Sequence, residues 1–228
     1  MSSETEGTDP GVIDLSHEIA DGTITYPGLP GPVITDHLSR ADSVARYAPG
    51  YEFQIGRIEM VSNTGTYLDT PFHRFADGHD LAGLDLRRVV DVPGVLVDAT
   101  GVREAGVALL EGVDVEGRAV LFHTAWASRW GTEGYGDSSH PYVGVDTADA
   151  LVERGAAVVG IDSVNIDSTV GGERPIHTIL LGAGIPIVEH LCRLDELAGR
   201  TFRFTAAPLA VRGMGTFPVR AYAVTAKS

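Results

Sequence analysis

The chain has 228 residues, 43% of them hydrophobic, which is enough apolar side chain for one substantial core and one domain. Its 17 Lys and Arg against 31 Asp and Glu give a formal charge of -14, and no basic cluster interrupts that balance, so phosphate backbones and anionic lipid surfaces are excluded as partners. Cys192 is the only cysteine, so no intrachain disulfide forms.

Residues 1–10 are polar and acidic and read as a disordered lead; they lack the basic-then-apolar pattern of a secretory leader, so a cytoplasmic location is expected. Residues 11–228 form the single expected domain. A first strand is expected over 12–16, followed by a loop punctuated by Pro27, Gly28, Pro30 and Gly31 in which Tyr26 is exposed to a pocket or packed beneath it. Phe53, Ile55, Ile58 and Met60 alternate with polar residues and predict a strand over 53–62, bulged at Gly56.

That strand leads into Asn63-Thr64-Gly65-Thr66-Tyr67-Leu68-Asp69-Thr70-Pro71-Phe72-His73, the stretch densest in chemistry. Gly65 permits a turn that a Cβ would obstruct, Pro71 fixes φ and keeps Thr70 extended, and Asp69 and His73 bring together a carboxylate and an imidazole, groups that serve as acid/base or as metal ligands. Taken alone, the segment also fits a turn in which Asp69 bonds backbone amides.

Further on, buried strands are expected over 89–99, 118–122 and 157–162, helices over 104–110, 147–154 and 195–199, and further strands over 201–206 and 218–224. The alternation predicts an α/β fold with a parallel or mixed sheet. Trp126 follows one strand end, where ligands bind in open α/β sheets, and is equally suited to anchoring the core. The loop 129–142 is long enough to cover a site. Glu189 ends the apolar run Ile185-Pro186-Ile187-Val188, where a carboxylate is costly to bury unless paired or metal-bound.

The 63–73 stretch resembles the signature of the cyclase family, the group that includes bacterial kynurenine formamidase: His-x-Gly-Thr-His-x-Asp-x-Pro-x-His. Thr64-Gly65-Thr66, Asp69, Pro71 and His73 are similar to it, whereas Asn63 and Tyr67 stand where the family has histidines. Asp162-Ser163-Val164-Asn165-Ile166-Asp167, His177 with Glu189 twelve positions later, and Gly215-Thr216-Phe217-Pro218-Val219-Arg220-Ala221 resemble later family segments. The resemblance implies a swivelling β/β/α fold with a mixed-sheet core and outer helices, often assembled as a homodimer.

It also implies a site in which Asp69, His177 and Glu189 hold one metal, His73 is the acid/base residue, and Asn63, Tyr26 and Trp126 wall the substrate pocket. With two histidines replaced, the other metal of the family's pair loses its nitrogen ligands, because neutral phenol is a poor ligand at pH 7. Three functions follow. One is a hydrolase of a small amide, ester or lactone using one zinc or manganese ion. Another is a metal-free acid/base cyclase, dehydratase or isomerase in which Tyr67 donates a hydrogen bond and His73 or Glu189 moves the proton. The third is a small-ligand-binding protein without catalysis.

Overall fold

The computed structural model describes residues 11–226, and the expected disordered lead at 1–10 lies outside them. In chain order the elements are β1 (Val12–Asp14), β2 (Val33–Leu38), α1 (Arg40–Ser43), β3 (Ile55–Glu59), β4 (Tyr67–Asp69), β5 (Val92–Asp98), β6 (Glu104–Ala105), β7 (Ala119–His123) and β8 (Tyr142–Val143). They continue with α2 (Val145–Glu153), β9 (Val158–Ile161), α3 (Pro175–Gly182), β10 (Ile187–Glu189), β11 (Phe202–Thr205), β12 (Thr216–Pro218) and β13 (Tyr222–Thr225).

Nine strands form one mixed sheet in the order β1-β13-β11-β5-β7-β9-β10-β4-β12. β5, β7, β9 and β10 run parallel at its centre, and the flanking strands are antiparallel. The central strands are aliphatic on both faces because both faces are covered. Along β7, Ala119 and Leu121 enter one core with Leu15, Leu68, Phe202 and Phe204, while Val120 and Phe122 enter the other with Leu151 of α2 and Leu180 of α3. The helices therefore cover one face, and the curling antiparallel strands with the 81–89 segment close the other. This is the α/β fold with a mixed-sheet core and outer helices that the resemblance implies.

Several local expectations need correction, among them the helix expected over 195–199, which is a single turn of 3-10 helix, Leu194–Leu197. The strand expected over 53–62 is β3, which pairs only with β2 in a ribbon apart from the main sheet; every β3 residue is exposed, and the register shift falls between Asp36 and Leu38 on the partner strand instead of at Gly56. Alternation there reflects strand pairing, not burial against the core. The helix expected over 104–110 is the two-residue strand β6 followed by a single turn of 3-10 helix, Val107–Leu110. Glu104 and Ala105 are drawn into parallel pairing with Tyr142 and Val143 of β8, which holds the start of the segment extended. The strand expected over 218–224 is split into β12, at one edge of the sheet, and β13, next to the opposite edge strand β1.

Elsewhere the local chemistry holds. Gly65 has φ +66, and a Cβ there would meet the Ile19 side chain at 2.8 Å. Pro71 starts a 3-10 turn, Pro71–His73, after extended Thr70. Arg220 is an ion-pair partner, bonded through two nitrogens to Asp14 Oδ2 at 2.9 and 2.6 Å. The glycine loop before β12 serves the fold at close quarters: a Cβ on Gly215 would lie 2.2 Å from the His73 backbone nitrogen. Gly215→Ala should therefore displace the His73 turn, costing about 1–3 kcal/mol by overpacking, read as a drop in the urea midpoint at unchanged slope.

Candidate active site

Register builds the site. β4 lies between β10 and β12, with Tyr67 opposite Glu189 on one side and Asp69 opposite Thr216 on the other. Residues two apart on a strand share a face, so Tyr67 and Asp69 point the same way and meet their cross-strand partners there. The Tyr67 hydroxyl donates to Glu189 Oε2 at 2.7 Å, and the Thr216 hydroxyl donates to Asp69 Oδ1. From the next turn of chain, His73 places Nδ1 2.8 Å from Thr216 Oγ1. Since Thr216 spends its hydrogen on Asp69, the network assigns the His73 proton to Nδ1 and leaves Nε2 as the basic nitrogen.

His177 comes from the first turn of α3, and Asp167 sets its position. The Asp167 carboxylate accepts the backbone N–H groups of Ile176 and His177, at 2.7 and 3.0 Å, which caps the helix. It also lies 2.6 Å from His177 Nδ1. With three donors converging, Asp167 is ionised and Nδ1 carries a hydrogen, so Nε2 is the atom turned to the site. Nε2 lies 3.7 Å from Asp69 Oδ2 and 3.6 Å from Glu189 Oε1. These separations are too long for hydrogen bonds and short enough for strong charge coupling.

The four side chains Asp69, His73, His177 and Glu189, drawn from three separate stretches of sequence, thus meet in one place. Asp69, His73 and His177 each offer a donor atom, mutually within 4.8 Å. A cleft of about 130 Å³ opens on His73, His177 and Glu189 and is lined also by Asn63, Tyr67, Asn165, Arg74 and Arg174, while Asp69 is fully buried. Tyr26 and Trp126 lie elsewhere: Trp126 is buried with Tyr135 and Val164, Tyr26 packs against that cluster, and the Trp126 indole N–H donates to the Tyr135 carbonyl at 2.8 Å.

The electrostatics call for a cation. Asp69 Oδ2 is fully buried and has no hydrogen-bond partner, an arrangement costly for a carboxylate unless an ion or proton compensates. Burial opposes ionisation of Asp69, yet the His177 and His73 rings and the Thr216 hydroxyl outweigh it and hold its carboxyl below the ordinary range. Burial and the Asp69 charge push Glu189 up to about 7, against the pull of His177 and the Tyr67 hydroxyl. For His177, burial disfavours the charged ring, but Glu189, Asp167 and Asp69 together raise it to about 10. A positive charge belongs between these carboxylates, whether a proton on Nε2 or a divalent ion bound to it. The donor atoms grouped closely enough for one ion are those of Asp69, His73 and His177, a set suited to zinc or manganese with open positions, and Glu189 Oε1 lies 3.6 Å from His177 Nε2.

Stability of the metal-free protein should follow from this. Because His177 is raised from 6.5 to about 10, its contribution is complete below pH 6.5 and is lost as pH rises from 6.5 through 10. Chelator-treated protein should show a urea midpoint that falls steadily from pH 6.5 to 9.5, and saturating zinc should flatten the dependence, since metal replaces the proton.

Behind the cleft runs a buried hydrogen-bonded chain. Tyr135 donates to His190 Nδ1 at 2.7 Å, His190 Nε2 lies 3.2 Å from the Tyr67 oxygen, and Tyr67 donates to Glu189. Tyr67 has given its only hydrogen away, so His190 carries its own on Nε2 and is neutral; burial lowers it to about 3. The Tyr67 phenol is pushed well above its ordinary value by burial and by the Glu189 and Asp69 charges. It is a fixed donor to Glu189.

A family model described as "Putative cyclase" matches residues 13–168. The chain belongs to the cyclase family. This cyclase-family chain is 29% identical over 210 residues to a kynurenine formamidase of Bacillus cereus, covering 92% of this chain and 95% of that one. It is 26% identical over 211 residues to the kynurenine formamidase of Geobacillus thermodenitrificans, with the same coverage. Among solved structures it is similar to a "potential metal-dependent hydrolase with cyclase activity", with TM-score 0.78, 26% identity, and 96% and 100% of the two chains covered. Isatin hydrolase A from Ralstonia solanacearum shares the fold at TM-score 0.79 and 23% identity, covering 95% and 92%.

Asp167, Thr216, His190, Asn165, Arg74 and Arg174 were not legible in sequence as site residues. Asp167 and Asn165 stand in a segment already similar to the family's, which is the one available signal; Thr216 requires the register of β12 on β4.

Proposed function

We propose that this protein is a hydrolase that opens an amide C–N bond of a small carbonyl compound, using one divalent cation, zinc or manganese, where the family signature provides ligands for two. The observation that carries the reading is the buried, unpartnered Asp69 Oδ2 facing His177 Nε2 beside Glu189. Among the relatives, the kynurenine formamidases support an amide substrate.

Asp69, His177 and Glu189 would hold the cation, which when bound would supply a Lewis acid for the carbonyl and a more acidic water. The protein's own groups do the rest. Asp167 holds His177 in one tautomer and orientation, as the partner of a ligating imidazole does. Thr216 fixes His73, whose Nε2 accepts a proton from the attacking water and returns it to the leaving nitrogen. Water and amide are consumed, and a carboxylic acid and an amine are released. Tyr67 braces Glu189 and takes no part in proton transfer, because its hydrogen is already committed. That commitment weighs against the metal-free cyclase reading, which needs the phenol as a donor to substrate.

The test is elemental analysis of protein purified without added metal, with assays on N-formylkynurenine and on simple lactones before and after chelation. About one metal per chain, with amide hydrolysis lost on chelation and restored by zinc or manganese, is the expected result. Activity that survives complete removal of metal would replace this reading with acid/base catalysis of ring closure or isomerisation. Tight ligand binding without turnover would favour a binding protein.

A further inference from the structure

The chain that leaves β9 wraps one side of the site, and three successive residues there each meet it. The Ile166 N–H donates to Glu189 Oε1 at 2.7 Å, and the Asp167 carboxylate fixes His177. Asn165, just ahead of them, lines the cleft itself. One bond sets its orientation. The Asp167 backbone N–H, 2.9 Å from the Asn165 side chain, can only donate, so the atom it meets is the carbonyl oxygen Oδ1. The amide nitrogen Nδ2 therefore points the other way, and among the described residues it donates to nothing. It is not sealed off either, since the buried side-chain atoms without a partner are His17 Nε2 and Asp69 Oδ2. Asn165 is only 9% exposed, so this free donor opens on the cleft that the residue lines.

The other donors around the cleft are spent or wet. Tyr67 gives its hydrogen to Glu189 and Thr216 gives its own to Asp69, while the Nδ1 hydrogens of His73 and His177 go to Thr216 and Asp167. Asn63 Oδ1 lies 3.1 Å from the Ser62 hydroxyl, but a hydroxyl both donates and accepts, so that bond does not fix which way the Asn63 amide turns. Arg74 is exposed and Arg174 half-buried. Water competes there for every N–H, and a donor is worth most where water is excluded.

Amide hydrolysis calls for a donor at one atom. As the water oxygen bonds to the carbonyl carbon and its proton passes to His73, the π pair of the C=O bond moves onto the carbonyl oxygen as negative charge. When the C–N bond breaks, that pair returns and the nitrogen leaves with the proton. A donor held rigidly against that oxygen stabilises the charged state more than the neutral carbonyl. Asn165 is held in this way, because Val164, Ile166 and Asp167 beside it are fully buried. A site that holds one cation where the family signature provides for two has lost one pole of charge stabilisation, and a neutral donor takes over part of it.

We propose that Asn165 is a catalytic residue whose Nδ2 donates to the carbonyl oxygen of the substrate and holds it as it becomes the oxyanion. This rests on the hydrolase reading for the reaction, and a binding measurement without turnover separates the two.

Two substitutions keep the turn and remove the donor. Asn165→Ser leaves a neutral oxygen to accept the Asp167 N–H, and Asn165→Asp keeps the shape and the acceptor while a second oxygen replaces the nitrogen. Both should lower kcat on N-formylkynurenine about a hundredfold or more, the scale of one lost oxyanion donor, with little change in KM. Metal content and urea midpoint should stay at the parent values in Asn165→Ser, which a merely structural role would not allow. The measurement without turnover is calorimetric binding of phenylphosphonate, a tetrahedral oxyanion, and of neutral benzamide to the metal-loaded protein. Asn165→Ser should weaken phenylphosphonate about tenfold, the scale of one charge-assisted hydrogen bond, and change benzamide far less.

Weakened phenylphosphonate binding in Asn165→Ser, together with a parent protein inactive on amides, would uphold the donor and sink the hydrolase reading. An active parent whose Asn165→Ser variant keeps its kcat and its phenylphosphonate affinity would overturn the proposal and leave the hydrolase reading standing. A fall in kcat confined to Asn165→Asp would assign the effect to the added charge, and loss of metal or stability along with activity in Asn165→Ser would make the residue structural; either result overturns the proposal. An inactive parent whose phenylphosphonate binding is indifferent to Asn165→Ser would sink both.

Discussion

Asp69→Asn should leave a folded protein that no longer retains stoichiometric metal and whose amide hydrolysis falls about a thousandfold or more. A bound cation contributes several kcal/mol of transition-state stabilisation, and each 1.36 kcal/mol is tenfold in rate. The substitution is chosen for its shape. The side-chain carbonyl of Asn can still accept the Thr216 hydrogen bond, so the strand pairing of β4 with β12 keeps its partner. What is removed is the charge on the buried atom that has no partner, 3.7 Å from His177 Nε2. Elemental analysis and single-turnover kinetics read the loss, and circular dichroism checks the fold. A variant that retains one metal per chain and near-normal turnover would show that the cation does not sit at Asp69.

The same substitution tests the electrostatic account independently of catalysis. With one of the three carboxylates neutralised, His177 should be less basic in the metal-free protein. The stability decline above pH 6.5 should then be shallower than in the parent. If the decline is unchanged, the His177 charge is set by Asp167 and Glu189 alone.

The legibility of this site in sequence follows its geometry. Everything carried by one continuous segment could be read: the Gly65 turn, extended Thr70 before Pro71, and the joint placement of Asp69 and His73 all follow from local backbone chemistry. Glu189 could be singled out because a carboxylate ending an apolar run demands compensation. Thr216 could not be found, since its meaning comes only from standing opposite Asp69 in the register of β12 on β4. Arg174 could not be found either, because an arginine reads as a solvated residue until its loop places it on the cleft. The ribbon of β2 and β3 misled for a related reason: alternation fixes which side chains share a face, and burial depends on what that face meets. The central strands were legible because continuous aliphatic runs have no other stable location than between two covered faces.

Asn63→His combined with Tyr67→His should raise the metal content from about one to two per chain, and the reason lies in what Tyr67 now does. Its hydroxyl holds Glu189 Oε2 at 2.7 Å, so the phenol both occupies a family ligand position and ties up a neighbouring carboxylate oxygen. Replacing it supplies an imidazole and frees that oxygen in one change, while Asn63, on the same cleft, supplies the second nitrogen. The metal-free double variant should be less stable by about 2 kcal/mol, because Tyr67 is only 2% exposed and a smaller ring leaves a cavity. It also strips His190 of its acceptor, breaking the chain from Tyr135. Saturating zinc should recover that loss by mass action, giving a larger zinc-induced rise in urea midpoint than in the parent. Two metals with increased formamide hydrolysis would make the two replacements sufficient to explain a one-metal site. A double variant that folds and still holds a single metal would mean that the aromatic chain behind Tyr67, and not the missing imidazoles, closes the second position.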